Sequence, residues 1–408
     1  MTQTFLTQLD ILKVRHLNDI HIPLSTEKRK HLIITGKNGS GKTSVLNQLV
    51  RFLSFVISKN FETKAEIESS LSQFQLRLQK TDLTIKDRDN CLYAIDIKQR
   101  ALSNWTDGCV AECTSYEQLR NSFRAGRFIL AFYSDTRKVE VSTYKNIEKI
   151  ELQPVYHFDD KPSKNLGKYL VNLKSVQAFA QAKNDHKRAS EIQDWFMRFE
   201  RVLKKIFQDD SLVLDFNIDT FQFSIHVDGR EPFNFNTMSM GYAAIFDIIS
   251  DLIMRMESKH TYDLEGIVLI DEIETHLHVE LQKQIVPILT ELFPNIQFIM
   301  TTHSPFILNS AENAVIYDLE TQTLVENGLT NLPYEGIVEG YFGVETLSEE
   351  LHAKFNQYKS LVRADHLTDS DYAKLAELEY YLDEIPDYLA VDISAEYAQL
   401  KLEFENRG

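Results

Sequence analysis

Residues 5–25 alternate apolar and polar positions: Leu6, Leu9, Ile11, Leu12 and Val14, then Leu17, Ile20, Ile22 and Leu24. A period near two predicts two short antiparallel strands. A third strand follows at His31-Leu32-Ile33-Ile34-Thr35, then a glycine-rich turn and a helix from about Lys42 with Val45, Leu46, Leu49, Val50, Leu53 and Val56 apolar. From Phe61 to Asn104 there is neither Pro nor Gly, and Ile67, Leu71, Phe74, Leu78, Ile85, Leu92, Ile95 and Leu102 keep a four-three spacing. That is a heptad seam, either on helices packed against the rest or on a projecting coiled-coil arm.

Phe128–Tyr133 reads as a buried strand, residues 165–208 as helical, and Leu212–Phe216 with Phe221–Val227 as a β-hairpin. Ala243–Met256 reads as a helix. The apolar segments Gly266–Ile270 and Gln297–Met300 flank a helical stretch, Val279–Phe293. Strand, helix and strand in this order predict a parallel sheet, so the fold class is α/β with an added antiparallel part. The expected organisation is a head in two pieces, 1–60 and 209–330. Between them lie a helical insertion or arm at 61–114, a return to the head at 115–155 and a helical subregion at 156–208. Residues 331–408 form a helical tail.

The 408 residues carry a formal net charge of −16. Tyr341–Gly408 holds 15 Asp/Glu against 6 Lys/Arg, a net of −9, so the acid is concentrated in the tail. A surface uniformly dressed for nucleic acid is excluded, whereas a local basic patch is not. No apolar run approaches the roughly 20 residues that span a bilayer. The amino terminus lacks a signal-peptide pattern, and a cytoplasmic protein is expected. Cys91, Cys109 and Cys113 read as structural thiols, since no second Cys/His pair accompanies Cys109 and Cys113.

Gly36-Lys37-Asn38-Gly39-Ser40-Gly41-Lys42-Thr43 fits G-x-x-x-x-G-K-[ST], directly after a strand and opening a helix. The glycines let backbone N–H groups curl around a triphosphate. Gly36, Asn38, Gly39, Ser40, Gly41, Lys42, Thr43 and Ser44 are the expected phosphate-binding positions, with Thr43 also a ligand of Mg²⁺. Ile267-Val268-Leu269-Ile270-Asp271-Glu272 is an apolar strand ending in two carboxylates. Asp271 is placed to hold Mg²⁺ and Glu272 to orient and polarise the attacking water. In Phe298-Ile299-Met300-Thr301-Thr302-His303-Ser304-Pro305, His303 would stand at the carboxyl edge of a neighbouring strand, in reach of a γ-phosphate.

With these three motifs the chain resembles ABC-type ATPases, in the branch that holds SMC, RecF and OLD-like proteins. Asp271-Glu272-Ile273-Glu274-Thr275-His276-Leu277-His278, Gln282, Phe293-Pro294-Asn295 and Thr302-His303-Ser304-Pro305 look very like the OLD-type subgroup. The resemblance covers 1–50 and 205–320. It implies an ABC-type P-loop head with Glu274–His278 as the D-loop, and His276 and His278 are explained by that loop rather than by a metal pair. It also implies a signature motif acting on the partner's ATP. Met238-Ser239-Met240-Gly241-Tyr242 matches L-S-G-G-Q at Ser239 and Gly241 only. Phe132–Arg137 takes the place of the Q-loop, without its glutamine.

OLD-type proteins carry a metal-dependent nuclease after the ATPase. Here the D-x-D at Asp369 and Asp371 follows no apolar strand, and Thr368 or Asp369 reads as a helix cap. The chain is therefore similar to the stand-alone ATPase subunits of bacterial antiphage modules of the Septu, retron-linked and PARIS types. This implies ATP and Mg²⁺ as cofactors, head-to-head dimers or higher oligomers, and a partner nuclease or toxin under control. The tail, with Leu347, Leu351, Phe355, Tyr358, Leu361, Leu375, Leu378, Tyr381, Leu382 and Ile385 at helical spacing, is the expected oligomerisation or docking element. The alternative is a RecF/SMC-like repair ATPase acting on DNA directly, through Arg124, Arg127, Arg137, Lys138 and the Lys183–Arg188 cluster. A third class, a cassette driving a membrane permease, is opposed by the insertion, the D-loop and the acidic tail.

Overall fold

The alternating segments at the start fold as β1 (Leu6–Val14) and β2 (Leu17–Pro23), an antiparallel pair in which Leu9 faces Ile22 and Ile11 faces Ile20. The computed structural model describes residues 3–80, 83–136, 147–326, 328–330, 349–364, 366–383 and 391–405. Arg137, Lys138, Leu347 and Ile385 lie outside the described residues. The chain divides into two units, Met1–Asn331 and Leu332–Gly408.

In the first unit β3 (His31–Thr35) leaves the antiparallel pair and enters a second sheet. There it joins β5 (Phe128–Tyr133), β8 (Glu265–Ile270), β9 (Ile296–Thr301), β10 (Ala314–Asp318) and β11 (Leu324–Val325) in the order β11-β10-β3-β9-β8-β5. All neighbours are parallel except β10 and β11. Strands buried on both faces need continuous apolar runs, which Leu32–Ile34 and Ile267–Ile270 supply at full burial. Helix α1 (Lys42–Ile57) lies between the sheets. Its Val45, Leu46, Leu49 and Val56 share one buried cluster with Leu9, Ile11 and Ile22 on one side and Ile34, Leu130 and Ile267 on the other.

The expected insertion contains α2 (Lys64–Leu78) and α3 (Ile85–Thr106), packed on each other. Thr63 starts α2 with a reciprocal capping box to Glu66. Two corrections follow. The insertion ends with α3, because β4 (Gly108–Cys113) pairs with β1 as the third antiparallel strand, its Cys109, Val110 and Ala111 small and buried. The heptad positions also do not make one buried seam. Ile67 and Leu71 reach the head core, whereas Ile85 is 83 % and Leu92 51 % exposed. The pair is rooted by Trp105, whose indole N–H donates to the Glu62 carbonyl at 3.1 Å and whose ring packs on Phe52, Phe55, Phe61 and Tyr116.

Helix α4 (Tyr116–Arg124) leads into β5. A 3-10 turn at Pro162–Asn165, α5 (Leu166–Ala182) and α6 (His186–Phe207) follow, then the hairpin β6 (Val213–Asn217) and β7 (Gln222–His226). Helix α7 (Met240–Glu257) is buried over most of its length; α8 (Val279–Leu292) touches it, and α9 (Pro305–Ser310) packs on α8. The buried acids of α7 are all engaged. Arg255 Nε donates to Asp251 Oδ2 at 2.7 Å, and its other nitrogens reach the carbonyls of Leu130, His157 and Asp160. Tyr133 donates to the same Asp251 oxygen at 2.8 Å, and Tyr169 and Trp195 donate to Glu257. Among the described residues no helix is long and apolar enough to cross a membrane.

The second unit comprises α10 (Glu349–Val362), α11 (Asp369–Asp383) and α12 (Val391–Glu405). Its periodic apolar positions cover one another: Leu351, Phe355, Tyr358, Leu375, Leu378 and Leu382 bury together with Val362, Tyr397 and Leu400. The surface they require is therefore found within the unit. The D-x-D segment is a helix start, where Thr368 and Asp371 exchange hydrogen bonds as a capping box.

Replacing Arg255 by Met would leave Asp251 as an unpaired buried charge. The expected loss is about 3–5 kcal/mol of unfolding free energy, measured by urea denaturation.

Candidate functional site

The register of the parallel sheet brings Ile34 level with Thr301, and Ile270 level with Met300 and Tyr133. The residues that follow β3, β9 and β8 therefore emerge side by side at one edge. After β3 the chain turns through Gly36, Gly39 and Gly41 at φ +135°, +85° and +102°. Side chains rarely tolerate such angles. At Gly41 a Cβ would also stand 3.0 Å from Leu17 Cδ1. Lys42, only 5 % exposed, folds its ammonium back over the loop and donates to the carbonyls of Gly36 at 2.7 Å and Lys37 at 3.1 Å. Ser40 Oγ is buried and has no hydrogen-bond partner among the described residues. Asn38 and Thr43 are exposed and Ser44 half-buried.

An orphaned hydroxyl, a neutralising ammonium and the free N–H groups of a helix start are what a phosphate chain requires, so these residues fit one. Beside the loop is a cleft of about 650 Å³ bounded by His16, Asn18, Lys37, Glu320 and Gln322 among others. Lys37 and Glu320 pair across it at 2.8 Å. Sequence reasoning missed this cleft, because its walls come from the β1–β2 turn and the segment after β10.

At the end of β8, Asp271 is buried and its amide donates to the Tyr133 carbonyl at 2.8 Å. Its Oδ1 accepts from the Thr301 hydroxyl at 2.5 Å, and that same hydroxyl oxygen accepts from the Glu272 amide at 2.8 Å. One side chain of β9 thus fixes both acidic positions. Glu272 is half-buried with φ +44°, a left-handed conformation costly for a residue with a side chain. A hydroxyl at Thr43 and one carboxylate at Asp271 suit Mg²⁺, which takes few protein ligands and completes its shell with water and phosphate oxygens.

His303 follows β9. Its backbone N–H donates to Glu274 Oε1 at 2.7 Å, and its Nδ1 lies 3.0 Å from the same oxygen. This hydrogen bond pushes the imidazole up from its ordinary value, against the opposing effect of partial burial; Glu272 adds to the rise and Lys42 counters it. His303 therefore stands within electrostatic reach of both. Burial would raise the Glu274 carboxyl, but hydrogen bonds from His303, from its own backbone and from Thr302 together outweigh it and hold the group below the usual range. Gln282 ties the same two segments together, accepting from Ser304 Oγ at 2.6 Å and donating to the Leu277 carbonyl at 2.8 Å.

Ser239 caps α7 through its backbone geometry alone, with Met240 beside it 66 % exposed. Gly241 is packed on the 276–281 segment. A Cβ there would meet the His276 carbonyl and Leu281 Cδ1, each at 3.1 Å. Tyr242, where the signature pattern has glutamine, stacks on Phe207 with centroids 4.4 Å apart. In the place of a Q-loop, Tyr133 is turned inward to Asp251, and Ser134 bonds Thr136 at 3.2 Å. His276 and His278 are exposed, and among the described residues no group of three or more His, Cys, Asp or Glu could hold a metal ion. Burial pushes the Cys109 and Cys113 thiols up to about 12, away from thiolate chemistry.

A family model described as "AAA domain, putative AbiEii toxin, Type IV TA system" matches residues 32–309. A "Septu protein PtuA" of Bacillus mycoides (strain KBAB4) is 23 % identical over 376 residues, 88 % of this chain and 48 % of that protein. A "Retron Ec83 probable ATPase" of Escherichia coli is 33 % identical over 180 residues, 42 % of this chain and 32 % of that protein. The chain thus spans half or less of the length of these curated relatives. Among solved structures, an SMC head bound to the C-winged helix domain of ScpA aligns with 80 % of this chain and 98 % of that one, at 13 % identity and a TM-score of 0.38.

Thr301→Val keeps the shape but removes the hydroxyl shared by Asp271 and the Glu272 amide. Leaving both unsatisfied should cost about 1–3 kcal/mol in urea unfolding, and Thr301→Ser should restore most of it.

Proposed function

Because this chain belongs to the AAA-domain family described as an AbiEii-type toxin of type IV toxin–antitoxin systems, we propose that it binds and hydrolyses ATP. The proposed active unit is two heads facing each other, and its turnover controls a partner protein in antiphage defence. The reading is carried by one observation. The glycine loop with Lys42, the pair Asp271–Glu272 and His303 leave three adjacent parallel strands at the same edge.

Each group has a task that its surroundings suit. The loop N–H groups, Ser40 and Lys42 bind the phosphates, with Lys42 exchanging its two carbonyl acceptors for phosphate oxygens. Thr43 and Asp271 hold Mg²⁺, which supplies neutralisation of the β- and γ-phosphate charge when bound. Glu272, whose backbone N–H donates to the Thr301 hydroxyl, orients a water on the γ-phosphorus and draws off its proton. His303 steadies a γ-phosphate oxygen. Ser239 and the start of α7 face the second head's nucleotide, and Gly241 keeps that start against the 276–281 turn.

Support for the defence role comes from the relatives' names: a Septu protein and a retron ATPase. The proposed partner is an effector protein of nuclease or toxin type, met by the head or by the acidic helical unit 349–405 through charge. Of the basic residues named for the DNA-acting alternative, Arg124 bonds the Ser58 carbonyl and Arg188 pairs with Glu191 at 3.2 Å.

Lys42→Ala should weaken ATP binding roughly 10–100-fold, the loss of charge-assisted bonds, measured by calorimetry. An unchanged affinity would remove the phosphate assignment. Glu272→Gln should bind ATP normally yet slow hydrolysis by about 10²–10⁴-fold. In sedimentation with ATP and Mg²⁺ it should accumulate as a dimer, whereas parental turnover in this variant would show that another group orients the water.

A further inference from the structure

Glu274 belongs neither to the phosphate loop nor to the acidic pair, yet it is buried and makes two contacts to one neighbour. Its Oε1 accepts the backbone N–H of His303 and faces the same residue's ring nitrogen Nδ1. A carboxylate has only lone pairs to offer, so Nδ1 must carry the proton. The ring is thereby fixed in one tautomer and one orientation, and Nε2 is left for whatever approaches from solvent, to which the side chain is half exposed.

We infer that Glu274 is the positioning residue of His303: it holds the imidazole as an Nδ1–H donor and favours the imidazolium, so that Nε2–H is offered to an anionic phosphate. This rests on the proposed role of His303 and specifies how the chain equips it. A neutral ring pinned by Glu274 as its Nδ1–H tautomer would present a lone pair at Nε2 and repel phosphate oxygen; only the imidazolium, which the carboxylate's charge favours, donates from both nitrogens and offers Nε2–H. The charged groups facing the ring are Glu274, Glu272 and Lys42. Glu272 acts in the same direction and Lys42 in the opposite one, so Glu274, in direct contact, decides the balance.

The geometry is braced from a second side. Ser304 bonds Gln282, which bonds the Leu277 carbonyl, so the loop bearing His303 and the 274–278 turn are clasped at two points. That turn also carries the His276 carbonyl against which Gly241 of α7 is packed. The histidine, the turn and the start of α7 therefore form one contiguous piece of the surface.

The sign of the pH dependence follows. A histidine raised by its partner keeps its proton to higher pH, and the function of the imidazolium is lost as pH rises through the raised value. The test uses the full chain, ring-labelled at histidine and free of nucleotide, with the His303 signal assigned from His303→Gln. In Glu274→Gln the amide oxygen can still accept both N–H groups, but the charge is gone. The His303 titration should move down by about one pH unit or more. The alkaline limb of the pH–rate profile for ATP hydrolysis should move down with it, while the rate on the acid side stays near the parent's. An unmoved titration, or a rate loss equal at every pH, would overturn the assignment. Because the titration is read without nucleotide, a clear shift in a parent that hydrolyses no ATP would overturn the hydrolysis reading and leave the pairing standing.

Discussion

Everything at the proposed centre depends on the parallel hydrogen-bonded register of β3, β9 and β8. Strand side chains alternate faces, so a slip of one residue would turn Thr301 away from Asp271 and carry His303 to the wrong level. Leu32–Ile34, Ile267–Ile270 and Phe298–Met300 are apolar on both faces and wholly enclosed, so the register is marked by polar side chains at the strand ends, where Thr301 meets Asp271 and the Glu272 amide. The edge is extended past the strands by further backbone bonds, from Thr302 to the Ile34 carbonyl and from Ile273 to that of Thr301. A rigid ledge results, with acid, amide and imidazole set along it.

A second constraint runs behind the ledge. Tyr133 ends β5, gives its carbonyl to the Asp271 amide and its hydroxyl to Asp251, which in turn holds Arg255. The strand next to the acidic pair is thereby fastened to the helix that Ser239 begins. Buried charges of this kind add little net stability when compared with apolar replacements, but once present they tolerate only one arrangement. The position of α7 against the sheet is thus set by polar geometry as well as by packing.

Much of this was legible in the sequence, for a physical reason. The glycine loop, the Asp-Glu pair and the Thr-His-Ser segment are each continuous, and each directly follows an apolar strand whose burial is written in its composition. The parts that were not legible are contacts across long separations. Thr301 serving Asp271 and Glu272, Glu274 serving His303 and Tyr133 serving Asp251 join residues from different elements, and no periodicity records them. The heptad spacing between Ile67 and Leu102 misled in another way. Four-three spacing reports that a helix has an apolar side, but burial is decided by what lies opposite, and Ile85 and Leu92 face solvent. In the tail the same kind of spacing was satisfied internally, by three short helices closing on Tyr358.

The lysine of the glycine loop already directs two of its three N–H groups to its own backbone. Its ammonium rests on the carbonyls of Gly36 and Lys37, at 2.7 and 3.1 Å. The buried ammonium is thereby kept supplied with acceptors by the loop itself. Occupying it is consequently an exchange of one set of oxygens for another, and the gain is the difference between phosphate and carbonyl rather than the whole of the phosphate bond.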